Sequence, residues 1–131
     1  MADIEFLRSR ITEGFQALQL LQAEYDAVGW HISDPPFEKL RHISFHFAIM
    51  AGQVSSICEA GEHKANASSA GTSAVDVLES RDGLKFVVAD MLFHAAQLAN
   101  LLNLTLEECL IERYSTNARK FAPDSQFASL T

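Results

Sequence analysis

Apolar residues spaced alternately three and four apart, sustained over many turns, constrain this chain more than any other feature. Ile4, Leu7, Ile11, Phe15, Leu18 and Tyr25 form the first series, and Leu40, Ile43, Phe47, Met50, Val54, Ile57 and Gly61 the second. Leu84, Val88, Met91, Ala95, Leu98 and Leu102 form the third. That period belongs to amphipathic α-helices, and no alternating strand pattern competes with it. Six glycines and three prolines in 131 residues are too few for a chain of short strands and tight turns. The length fits a single domain spanning residues 1–131.

Helices are expected over about Asp3–Gly29, Phe37–His63 and Asp82–Asn103, with a fourth running to about Lys120. Asp3 caps the first and Gly29 ends it, while Ser33 or Asp34 beside Pro35-Pro36 opens the second. Thr105 and Glu108 have the spacing of a capping box at the start of the fourth, and Pro123 stops it. Residues 64–80 read as a loop of small residues holding a short helical piece at Val75–Glu79, and residues 122–131 as a tail, frayed or used at an interface. The fold class is therefore all-α and four-helix-bundle-like. Phe45, Ala48 and Ile49 give helix two a second apolar side, as in a helix shared between subunits, so an oligomer formed through helix two is expected.

Ten Lys and Arg against 17 Asp and Glu leave a net charge of −7. This argues against a nucleic-acid polymer as partner, since that needs a basic face, but not against a small phosphorylated ligand brought in by a metal ion. Apolar runs are broken well before membrane-spanning length, and Met1–Glu5 lacks the basic start of a signal peptide. Cys58 and Cys109 do not make a disulfide framework and are expected to pack as small hydrophobes on their helices. A reduced, cytoplasmic setting is expected.

The informative polar residues sit on these helices. Glu59 and Glu62 lie three apart on one face, where like charges repel unless a cation such as Mg²⁺ joins them; the bland alternative is a solvated helix end. Asp90, among apolar neighbours, calls for a partner, and His94 follows one turn later. The two could coordinate a metal or form a hydrogen-bonded structural pair. Asn117, Arg119 and Lys120 end helix four; they either complement the helix dipole or clamp a phosphate or base. His42 and His46, one turn apart, read as core or interface hydrogen bonding before a zinc or nickel site. Trp30 could stack on a base or pack at the core edge.

The run from Ala89-Asp90-Met91 through Leu104-Thr105-Leu106-Glu107-Glu108, followed by Asn117-Ala118-Arg119-Lys120-Phe121, resembles the C-terminal half of MazG-like nucleoside triphosphate pyrophosphohydrolases, and Glu59-Ala60-Gly61-Glu62 looks like their E-x-G-E element. The resemblance covers about residues 37–121. It implies an all-α homodimer or homotetramer that splits an NTP or dNTP into monophosphate and pyrophosphate. Matched residue by residue, Glu59, Glu62 and Asp90 would hold Mg²⁺, or Mn²⁺, and Asn117 and Lys120 would meet phosphate or base; on the reading of the residues themselves, His94 could stand in for a missing acid, and Arg119 and Trp30 join the expected nucleotide-binding residues. Val87 stands where the family's ExxD motif has its first acid, so the metal site would be altered. A second register puts Gln53 and Ser56 at the ExxE positions and leaves Asp90 as the one remaining ligand. The alternative function is a catalytically inactive relative acting as a nucleotide-binding, regulatory or assembly module.

Overall fold

The computed structural model describes residues 3–29, 36–67 and 80–130. Among them the chain is all-helical: α1 (Ile4–Gly29), α2 (Pro36–Ala67), α3 (Arg81–Leu102) and α4 (Leu106–Phe121), then a 3₁₀ turn at Gln126–Ser129. Trp30 and the expected helical piece at Val75–Glu79 lie outside the described residues. The α2 helix runs one turn past His63, and Lys64 in that last turn complements the dipole.

Local chemistry sets the ends. Backbone N–H groups of Glu5 and Phe6 donate to Asp3 Oδ1, so Asp3 caps α1 as expected. Asn103 ends α3 at φ 55°, in the left-handed region where asparagine is well tolerated, and the Leu104 N–H returns to the Ala99 carbonyl at 2.9 Å. The chain thereby turns by 102° into α4. The Thr105 hydroxyl accepts from the Glu108 N–H at 3.2 Å and donates to the Glu108 carboxylate at 2.8 Å, a capping box in which the carboxylate meets the hydroxyl rather than the Thr105 N–H.

The middle of the bundle is α3, which runs antiparallel to both α1 and α2. Along α1, Gln19 lies beside Asn100 and the Tyr25 ring meets Phe93 edge-on at 5.1 Å. Along α2, His46 stacks on His94 at 4.3 Å, and a Cβ on Gly83 would stand 3.5 Å from Ile57 Cδ1. The first turns of α1 pack on α4, where Arg8 pairs with Glu107 at 3.1 Å. The tail is docked rather than frayed: Phe127 packs against Tyr114 at 5.8 Å and Leu130 is buried. Burying Leu130 offsets the entropy of ordering the last turn.

Among the described residues the buried apolar ones are Ile43, Met50, Val87, Ala96, Ala99, Ile111, Ala118 and Leu130. The α3 stripe is divided: Val88 is 60% exposed, Met91 42% and Leu102 51%, while Leu84, Ala95 and Leu98 are half-buried. Toward its neighbours α3 turns Val87, His94, Ala96, Gln97 and Ala99. Both cysteines are exposed, contrary to the expectation for apolar helices. Among the described residues no single helix is long and apolar enough to cross a membrane.

Candidate functional site

The buried face of α3 carries polar residues at helical spacing, and α1 answers with its own. Asp26 Oδ1 accepts from the side-chain amides of Gln22 at 2.8 Å and Gln97 at 2.7 Å. Gln97 Oε1 stands 2.7 Å from His94 Nδ1; an amide oxygen only accepts, so His94 carries its proton on Nδ1. His94 stacks on His46, whose Nε2 is 3.0 Å from His42 Nε2. One chain of contacts thus crosses from α1 through α3 to α2, and Gln22, His94 and Gln97 are all nearly inaccessible. A second knot lies lower on α1. Gln19 donates to Asn100 Oδ1 and the Leu104 carbonyl, and accepts from the Leu106 N–H at 2.9 Å, pinning the α3–α4 turn to α1.

His42 and His46 therefore take the hydrogen-bonding role, with one Nε2–H shared between the two. The His42 pKa lies below its ordinary 6.5, first because burial penalises the cation and then because charge on His46 and His94 would repel it. The folded state prefers neutral His42, so this contribution to stability is complete above pH 6.5, the value in an unfolded chain, and is lost as the pH falls below it. Thermal melts should show a falling Tm between about pH 7 and pH 5, and His42→Gln should flatten the slope. An equal slope in that variant would contradict the assignment.

The residues expected to hold a metal are arranged differently. His46 facing His94 and Ile57 facing Gly83 fix the α2–α3 register, so Asp90 stands level with Met50. Glu59 and Glu62 lie nine and twelve residues beyond that level, roughly 14 and 18 Å along the axis at 1.5 Å per residue. Glu59, Glu62 and Asp90 are all exposed; Glu59 pairs with His63 at 3.7 Å, and Asp90 forms no hydrogen bond or ion pair with a described residue. His94 is committed to Gln97 and His46, not to Asp90. The same register sets Gln53 level with Val87, the pairing of the second reading of the motif. Among the described residues no three His, Cys, Asp or Glu stand together as a metal site. Within one chain Glu59 and Glu62 therefore do not reach the level of Asp90.

The α4 end is likewise divided. Asn117 lines a cavity of about 360 Å³ with Tyr114, Phe121 and Phe127. Arg119 lines another, of about 500 Å³, with Arg8, Glu107 and Glu112. Lys120 lies 5.0 Å over the Phe121 ring, near the first cavity. Asp90 sits some thirteen residues before the 102° bend and Lys120 some fifteen after it, roughly 30 Å apart. One nucleotide cannot bridge that span within a chain.

The network of Asp26, Gln97, Gln19 and Asn100 was not anticipated from the sequence. Its trace there is a polar series at helical spacing, Gln19, Gln22 and Asp26 on α1 opposite Gln97 and Asn100 on α3. Compared with family models, curated proteins and solved structures, the chain matches none.

Proposed function

We propose that this chain is a MazG-like helical module that binds a nucleotide or other small phosphorylated ligand, assembles with copies of itself, and does not cleave nucleoside triphosphates. The α2–α3 register carries the last part of this reading. It sets Asp90 level with Met50 and near Gln53 and Val87, leaving one carboxylate where in-line attack on a triphosphate needs a cage of them to position Mg²⁺. The α4 end supports ligand binding: Tyr114, Phe121 and Phe127 offer ring faces for a base, and Asn117 and Lys120 offer donors to its edge and phosphate. Self-assembly is supported by the apolar side chains left exposed on α2 and α3, among them Phe45, Ile49, Val88 and Leu92.

The test is a panel of ribo- and deoxynucleoside triphosphates with Mg²⁺ or Mn²⁺, read as pyrophosphate release and in parallel as Tm. No release above background is expected, with a rise in Tm for at least one nucleotide through binding linkage. Release that disappears in Asp90→Ala would overturn this reading in favour of a pyrophosphohydrolase using Glu59, Glu62 and Asp90.

A further inference from the structure

His42 and His46 meet through the same ring atom. Their Nε2 nitrogens stand 3.0 Å apart, while the ring centres are 4.6 Å apart and the ring planes cross at 64°. From the size of an imidazole, a head-on N–H···N bond of that length would set the centres about 5.3 Å apart. The rings therefore tilt to one side, and the bond between them is bent. Divided equally, the tilt is roughly 45°, and the two ring axes through Nε2, drawn in one plane, cross about 2.1 Å from each nitrogen at roughly a right angle. A proton uses this arrangement poorly, because hydrogen bonds weaken as they bend. A metal ion at the crossing point would have ordinary metal–imidazole distances of about 2.0–2.1 Å. The surroundings fix one ring. His94, 6% exposed, stacks on His46 at 4.3 Å and is itself held by Gln97 at 2.7 Å, an outer support of the kind that orients metal-binding imidazoles. His42 and His46 are half-buried, so the pair is open to an ion from solvent.

We infer that His42 and His46 chelate a late first-row divalent ion, Ni²⁺ or Cu²⁺, with water in its remaining positions. The angle selects the ion. Two nitrogens at a right angle suit the tetragonal geometry of Ni²⁺ and Cu²⁺, whereas tetrahedral Zn²⁺ spreads two nitrogens to about 3.3 Å. Two imidazoles and water suffice, so no third protein ligand is required of the described residues. In the neutral pair one Nε2 carries the shared proton. On binding, that ring carries its proton on Nδ1 instead, by exchange with solvent, so both Nε2 lone pairs meet the ion and no net proton is released. The site uses neither Glu59, Glu62 nor Asp90 and needs no nucleotide, so its failure would leave the function proposed above untouched.

Calorimetric titration of Ni²⁺ into the full, untagged chain at neutral pH, in a buffer that does not chelate, tests it. One ion per chain is expected. His42→Gln and His46→Gln should each weaken binding about 100-fold, as when one of two linked donors is lost. His63→Gln, in the exposed pair with Glu59, should leave the affinity unchanged. As a measurement that does not depend on a variant folding, pulsed electron paramagnetic resonance of one equivalent of Cu²⁺ on the native chain should show the remote nitrogens of two imidazoles. A native chain that takes up no Ni²⁺, an affinity that survives both substitutions or falls with His63→Gln instead, or a spectrum with a single imidazole would overturn the assignment.

Discussion

Replacing Asp26 by alanine is expected to lower the unfolding free energy by about 3 kcal/mol, because two buried amide donors lose their shared acceptor, at roughly 1–3 kcal/mol each. Gln22 and Gln97 are each 4% exposed, and both side-chain amides donate to Asp26. The loss should propagate, since Gln97 also orients His94, whose ring supports His46 and His42 across the α2–α3 seam. Asp26→Asn keeps an oxygen acceptor and gives up only the charge assistance, so it should cost about 1 kcal/mol. Urea denaturation of the two variants checks this. Equal and small losses would mean that the amides find other partners and that the network does not join α1 to α3.

Ile43→Ala is expected to cost a similar amount, about 3 kcal/mol, with Ile43→Val near 1 kcal/mol. Ile43 is 1% exposed, the most deeply buried large side chain among the described residues. Among the described residues three of the eight buried apolar ones are alanines, so the large side chains carry most of the transfer energy and one truncation removes a large share of it. A loss well under 1 kcal/mol in Ile43→Ala, by the same denaturation measurement, would show that α2 collapses onto the void or is held mainly from elsewhere.

The four main helices, and those ends that are set by local chemistry, were legible in the sequence. Asp3, Thr105 with Glu108, and Pro123 act within a turn of themselves, and the stripes announce their own period. Which side of a helix faces inward was not legible for α3. Periodicity identifies an apolar face but not what covers it, and on α3 Val88, Met91 and Leu102 are exposed while Leu84, Ala95 and Leu98 are half-buried. His94 was recognised as informative, yet its partner was expected at Asp90, one turn before it, and proved to be Gln97, with Asp26 of another helix behind. A spacing of four residues restricts only neighbours on one helix. The partner across a seam depends on a register that the α2 and α3 sequences left open between Glu59 and Gln53. The tail shows the same limit, since nothing in residues 124–131 alone marks Phe127 and Leu130 as docked on α4.

The account rests on the proposed assembly of the chain with copies of itself. The molar mass of the native protein in solution tests this most directly, by light scattering across a dilution series at neutral pH. A mass of at least twice 14.5 kDa, held down to low micromolar concentration, is the expected result. A single-chain mass throughout that range, with native helicity, would contradict it.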